Sequence, residues 1–499
     1  MALAVAASTA EAHVGSPDIW FEGTAGAYPI RVVVRAPGVV PGRAEITVRV
    51  LEGTPRRVTV QPYVWDAGSG GAPPADVALP VPGDRQLYSV NLWLMVAGSY
   101  GVHVHVSGDR GEGMTVVPVQ ATATQRLPMD RGLTLILLAL TLFLVLGLVT
   151  IVGAAVRDGV LPPGEPPGPS GIRRARLAMA GTALLLGLAL FGGRTWWNAV
   201  DRAHAEEIYR PFHAVASVVD SAGAHWVRFT IDDPRWGGRR WTPLLPDHGK
   251  LMHLFLTRVP DLDAIAHLHP VARDSTSFES RLPAIPEGRY RAFADIVQES
   301  GFAHTMTAEL DLDGRVAPPR GSKPDSRSDP DDSWFVGAAA ADSSAPRFRI
   351  DDGAVVTWDR GPGPLVEGRE RPLRFRVTEP DGAPATLEPY LGMVAHAVVE
   401  RLDGEVFAHL HPVGTVSMAS QMALTMRTPA DSVPGSLGRR MSEHAMHEPA
   451  SMPEAEGGAF SIPYAFPRSG RYRIWVQVRH RGAVRTAAFD ATVEPRPAS

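Results

Sequence analysis

The chain has 499 residues, enough for three or four domains, and 49 basic against 53 acidic residues give a formal charge of -4 with no long basic run. Nothing in that balance supplies the electrostatic footprint of a nucleic-acid partner, so no nucleic acid is expected. Cysteine is absent, which excludes disulfides and thiolate chemistry and leaves His, Met, Asp and Glu as the available metal ligands.

Residues 1–12 are small and apolar and close on Ala10-Glu11-Ala12, an A-x-A cleavage signal of a signal peptide that is short and lacks a positive start. Cleavage there makes His13 the mature N-terminus. Residues 13–122 are short alternating segments broken by Gly and Pro, among them Pro29 to Val34, Ala44 to Val50 and Tyr100 to Val106, a pattern that predicts a β-sandwich.

Residues 132–156 are 25 positions without a charge, long enough for a transmembrane helix. A second span is predicted at 177–195, with Trp196 and Trp197 after it as interfacial anchors. The loop between them, 157–176, holds Arg157, Arg173, Arg174 and Arg176, and the positive-inside bias assigns it to the cytoplasm. The arginine-rich, lysine-poor composition, with Lys250 and Lys323 as the only lysines, points to a high-GC bacterial source. The expectation is a two-helix anchor in a bacterial inner membrane with the β-rich parts in the periplasm.

The remainder is an internal repeat, 205–313 and 336–496, joined by a polar linker at 314–335. The first copy runs from Gly249 through His253 to Ala266-His267-Leu268-His269-Pro270, the second from Gly392 through His396 to Ala408-His409-Leu410-His411-Pro412. Pro246 and Pro389 stand at matching offsets ahead of the first histidine, and both copies end in a Gly-x-Tyr strand, Gly288-Arg289-Tyr290 and Gly470-Arg471-Tyr472. Each histidine stretch reads as a β-hairpin. In the second copy a two-residue Asp403-Gly404 loop, with positive φ at both positions, pairs Leu402 with Glu405 and so sets His396 opposite His411. Side chains alternate with period two, which puts His409 on the same face. In the first copy a loop centred on Asp261 sets His253 opposite His269, with His267 diagonal. The closing strands offer Asp295 and Gln477 at one equivalent position, where the N-terminal domain has His105.

Three imidazoles on one face can serve one metal ion, and imidazole suits copper, zinc, nickel or iron. The alternative is half-buried sheet histidines bonded to backbone. The candidate ligands are His253, His267 and His269, with Asp295 as a fourth, and His396, His409 and His411. His103 and His105 share a strand face in the N-terminal domain; either one, with the ring and amine of a mature His13, makes a histidine brace for Cu(II). Half of the chain's 14 methionines lie between Met393 and Met452. The last part of that stretch, 428–458, contains His444, Met446 and His447 and reads as a mobile loop able to capture copper. No nucleophile elbow, phosphate loop, dinucleotide fingerprint or zinc-protease helix is present, so no enzymatic activity is expected.

The stretch His13 to Asp18 with Tyr28 to Val32 resembles YtkA-like exported bacterial proteins, and the N-terminal sandwich with its candidate N-terminal histidine resembles CopC-like periplasmic copper carriers. Tyr390 to His396 with Phe407 to Pro412 resembles uncharacterised secreted bacterial proteins grouped with copper functions. The resemblance implies immunoglobulin-like sandwiches and copper handling. The expectation is therefore a mainly β protein of three immunoglobulin-like β-sandwich domains plus a two-helix transmembrane hairpin, with copper as cofactor and copper donor or acceptor proteins as partners. The alternative function is an accessory subunit of a larger respiratory or photosynthetic membrane complex, with structural histidines.

Overall fold

The computed structural model describes residues 18–497 apart from 128, 160, 163, 222–223, 237–242, 314–328, 344, 429–430, 432 and 448–455. The signal segment 1–12 and His13 lie outside the described residues. The chain is mainly β, with four α-helices among the described residues.

Apolar residues alternate with polar ones along the N-terminal strands. In Gly42–Val50, for example, Ala44, Ile46, Val48 and Val50 are buried while Glu45, Thr47 and Arg49 are not. Eight such strands between Asp18 and Ala121 form one continuous antiparallel path. Its first and last strands meet, so the expected sandwich is barrel-like rather than two separate sheets. They approach so closely that a Cβ at Gly113 would stand 2.0 Å from the carbonyl oxygen of Ala25. Only glycine admits that contact.

Residues 123–210 form a unit of their own, a pair of helices. Helix α1 is Arg131–Asp158, capped by the Asp130 carboxylate on the Leu133 amide. Helix α2 is Pro169–Glu207, opened by proline in its first turn. Both are long and apolar enough to cross a bilayer, and their leucines and phenylalanines are exposed. α2 starts earlier than the second span expected at 177–195 and takes in Arg173, Arg174 and Arg176, so the connection is shorter than the expected 157–176 loop. The reason is local: the arginines are good helix formers, and Pro169 supplies the start.

The two repeats share one plan. Each has an outer four-stranded sheet and an inner sheet that carries the histidine hairpin. The first inner sheet is built around His253–Arg258, Ala264–Leu268 and Gly288–Gln298; the second around His396–Arg401, Phe407–Leu410 and Gly470–His480. Leu254, Leu256, Ala266 and Leu268 point into the core of the first repeat, and Ala397, Val399, Ala408 and Leu410 into that of the second. The opposite faces of both hairpins are buried too, because the inner sheets pack on each other. Phe255, Leu262, Ile265 and Phe293 meet Val398, Phe407, Trp475 and Ala488 there. Phe293 and Phe407 stack with ring centroids 3.9 Å apart. Each fully buried aromatic or branched side chain at such a contact is worth roughly 1.5–3 kcal/mol.

Two expected connections are ordered elements. Of the linker 314–335, residues 314–328 lie outside the described residues, but Ser333–Val336 is a strand that pairs with Ala264–Leu268. The stretch containing the expected mobile loop 428–458 holds helix α3, Met418–Met426, and helix α4, Ser436–His447. Leu437 and Met441 bury against Ala419 and Ala423. The buried Glu299 carboxylate caps α4, accepting from the amides of Gly435 at 2.6 Å and Leu437 at 2.8 Å. A mostly polar composition masked an amphipathic helix whose few apolar positions are spaced to pack.

Candidate metal centre

The register that the sequence calls for is present in both hairpins. Val398 pairs with His409 and Ala397 with Leu410; Phe255 pairs with His267 and Leu254 with Leu268. The Asp403-Gly404 turn differs from expectation: Gly404 alone has positive φ, at 80°, and its amide bonds back to Arg401. Inside the registers, His253, His267 and His269 point away from their own core, as do His396, His409 and His411. The packing of the two inner sheets brings both sets together. The two metal sites expected in separate domains are one cluster.

His253, His267 and His269 converge with one ring nitrogen each, all within 4.8 Å of one another. The second convergent trio is His248, His396 and His411, so it draws one histidine from the first repeat. His409 stands between the trios, with its ring centroid 4.5 Å from His411, 5.3 Å from His253 and 5.5 Å from both His267 and His396. His248 is absent from the sequence-derived ligand set. Its signal was the repeat itself: His248-Gly249 follows Pro246 at the offset where Leu391-Gly392 follows Pro389. Both pairs occupy tight turns closed by reciprocal backbone bonds, Asp247 with Lys250 and Tyr390 with Met393. His248 and Leu391 both have positive φ, 53° and 51°.

The cluster has an outer layer that fixes ring orientation. His267 Nδ1 lies 2.8 Å from Gln477 Oε1, His269 Nδ1 is 3.0 Å from the Asp332 carboxylate, and His409 Nδ1 is 3.4 Å from the Asp295 carboxylate. The Tyr390 hydroxyl is 3.2 Å from His267 Nδ1. Asp332 also accepts from the His269 amide at 2.8 Å, so the end of the expected linker is part of the site. Asp295 pairs with His253 in the sheet register, yet its carboxylate faces His409 of the other repeat. It is therefore an orienting partner, not the expected fourth ligand of the first trio. An Nδ1 engaged in this way leaves Nε2 as the atom that could face an ion, the arrangement metal-bound histidines usually show.

In the first trio His253 Nδ1 and His267 Nε2 lie 3.1 Å apart and His253 Nε2 lies 3.2 Å from the Asp247 carbonyl, but the other inner nitrogens have nothing to bond. Among the described residues, Nε2 of His248, His269, His409 and His411 has no hydrogen-bond partner, and His396 has none at either ring nitrogen. Burial favours the neutral form of His248, His253, His267, His396, His409 and His411. It lowers His248 and His411 from 6.5 to about 4, and burial together with the neighbouring rings takes His253, His267, His396 and His409 well below that usual value. Neutral imidazole is the ligand form. Burial likewise raises Asp295 to about 7.

The N-terminal domain grips the turn that ends the second hairpin. Glu22 donates its amide to Val413, and Thr415 and Trp20 bond reciprocally through the Trp20 carbonyl and the Thr415 hydroxyl. Gly414 lies so close that a Cβ there would be 2.1 Å from the Trp20 carbonyl oxygen. His103 and His105 share a face of strand Gly98–Gly108, where the His103 ring lies tilted against Tyr63 with centroids 4.7 Å apart and His105 lies 3.9 Å from Glu112. Among the described residues no third ligand group converges on that pair. The side chains of His444, Met446 and His447 lie outside the described residues.

Residues 349–435 and 437–495, most of the second repeat, match the profile of a family described as a domain of unknown function, DUF8832. No curated protein matches the chain. Among solved structures it is similar to dimeric latent PorU from Porphyromonas gingivalis, at 8% identity and a TM-score of 0.14, covering 96% of this chain and 34% of that one. It is also similar to the endo-fucoidan hydrolase MfFcnA4 of glycoside hydrolase family 107, at 8% identity and 0.17, covering 92% and 43%. A putative membrane anchored protein from Corynebacterium diphtheriae gives 8% identity and 0.14, covering 97% of both chains. The chain thus spans under half the length of the first two. At these scores the likenesses assign neither fold nor function.

Proposed function

We propose that this protein is a membrane-anchored metal-binding protein that holds copper in the histidine cluster between its two repeats. The observation that carries the reading is the set of buried, unpartnered imidazole nitrogens, two of them, on His269 and His409, with the opposite nitrogen held by a carboxylate. A buried polar atom without a partner costs roughly 1–3 kcal/mol, so an apolar core would serve a purely structural interface better. A metal ion satisfies these atoms together. An all-imidazole donor set suits the later first-row metals, and among the divalent ions Cu(II) binds such sites most tightly. The methionines of α3 and α4 add thioethers nearby in sequence, which favour Cu(I) during transfer.

The arginines around the short connection between α1 and α2 support a reading with that connection in the cytoplasm and the β domains outside, in the periplasm of a bacterial inner membrane. The role is custody or transfer of copper rather than turnover, with copper donor or acceptor proteins as partners. The test is metal content by mass spectrometry on full-length protein purified in detergent without chelator, then offered copper, zinc and nickel in turn. Copper should be retained in preference to the others, and a His396→Ala/His411→Ala variant should lose part of it. Wild-type protein that retains none of the three metals would overturn the reading.

A further inference from the structure

We infer that the cluster holds two metal ions of unequal character, one in a closed four-histidine site and one in a three-histidine site with an open position. This rests on the metal-binding reading above and goes beyond it in stoichiometry and in what the second ion can bind.

Two trios of ring nitrogens converge separately, His253 with His267 and His269, and His248 with His396 and His411. No residue belongs to both, and His248 and His253, the nearest pair on the His248 side, have ring centroids 6.3 Å apart. A single copper or zinc ion takes about four nitrogen ligands, so one ion would leave part of the seven-imidazole cluster unused. Two ions can use all of it.

The pseudo-symmetry of the repeats then assigns the asymmetry. His253, His267 and His269 correspond to His396, His409 and His411, and His248 corresponds to Leu391. His248 reaches across from the first repeat to complete the second repeat's trio. His409 is assigned as the fourth donor of that site because it belongs to the second repeat's hairpin, its Nε2 is unpartnered, and its ring is nearer His411, 4.5 Å between centroids, than His253 at 5.3 Å or His267 at 5.5 Å. The reciprocal donor, from the second repeat to the first trio, would come from position 391. That residue is a buried leucine. The first site therefore has three ligands where the second has four, and a metal with three protein ligands keeps a position for an exogenous one.

The experiment loads full-length protein in detergent with Cu(II), counts copper per chain after desalting, and then titrates azide while following its charge-transfer absorption on copper. Counts are compared with a variant carrying alanine at all seven cluster histidines, which subtracts copper held elsewhere. The wild type should exceed that baseline by two. His267→Ala/His269→Ala and His248→Ala/His411→Ala should each exceed it by one. Azide should bind one copper in the wild type and in His248→Ala/His411→Ala. In Leu391→His, whose backbone already has the φ that His248 adopts, azide binding should be lost with both coppers kept. A difference of one overturns the two-ion assignment while leaving the metal-binding reading intact; a difference of zero overturns both. Azide binding undiminished in Leu391→His overturns the open position.

Discussion

Replacing His396 with leucine should stabilise the metal-free protein and destabilise the copper-loaded one. His396 is fully buried, and neither ring nitrogen has a partner among the described residues. A neutral imidazole carries one donor and one acceptor, and each buried without a bond costs roughly 1–3 kcal/mol. Leucine is similar in size, brings no polar atom, and faces the Tyr390 and His409 rings at the same place. Removing the liability should raise metal-free stability by about 2 kcal/mol, less some loss from imperfect packing. Copper reverses the sign. A ligand held at a thousand times its dissociation constant adds about 4 kcal/mol to the native state, and the variant forfeits much of that. The assay is a urea series on full-length protein followed by far-UV circular dichroism, once with chelator and once with copper. A variant less stable than wild type by more than about 1 kcal/mol in chelator would refute the reasoning, because His396 would then be making favourable structural contacts.

Acid should weaken the metal-free protein. His248 and His411 titrate at about 4 in the folded chain against 6.5 when free, and His253, His267, His396 and His409 are depressed as well, so the unfolded chain binds more protons in that window. Stability is complete above about pH 6.5 and falls as pH drops toward 4, by roughly 1.4 kcal/mol per unit for each histidine involved. Asp247, Asp295 and Glu400, all raised by burial, act in the opposite sense but are outnumbered. Urea midpoints at about pH 7 and pH 5 check this, and equal midpoints would count against it. Separately, Arg291→Met should cost about 3–5 kcal/mol by leaving the buried Glu400 carboxylate without the guanidinium now 2.7 Å away. Adding Glu400→Gln should recover part of that loss, and a single variant within about 1 kcal/mol of wild type would show the pair to be dispensable.

Much of the local geometry was legible because it obeys short-range rules. Period-two alternation and the turn positions fixed both hairpin registers and the face on which each histidine stands. The Gly-x-Tyr landmark picked out Asp295 and Gln477 as equivalent strand positions, and the sheets pair them with His253 and His396. What stayed hidden depends on packing between distant segments. Nothing local in His253 to Thr257 says that its second face is buried on another sheet, although the stretch His-Leu-Phe-Leu-Thr is apolar enough on that face, through Phe255, to hint at it. His248 was passed over because it sits in a turn rather than on the strand that supplied the pattern. Asp332 was assigned to the linker because Asp, Ser and Pro dominate its neighbourhood.

The crossed partnerships explain why the two repeats must share one chain for the site to form. Gln477 of the second repeat orients His267 of the first, while Asp295 of the first orients His409 of the second. These are equivalent positions contacting equivalent histidines, so the arrangement is that of a two-fold dimer. Either repeat alone would leave its middle histidine without an Nδ1 partner, and the second would also lack His248. A symmetric pair of identical copies would carry the same residue at 248 and 391 and at 295 and 477. Covalent linkage removes that constraint. It lets one half donate a histidine across the interface while the other offers leucine, and one half use a carboxylate where the other uses a neutral amide. A carboxylate partner makes an imidazole a stronger donor than an amide does. Because burial raises Asp295 to about 7, that contrast between His409 and His267 develops as pH rises through 7 and the Asp295 carboxyl ionises.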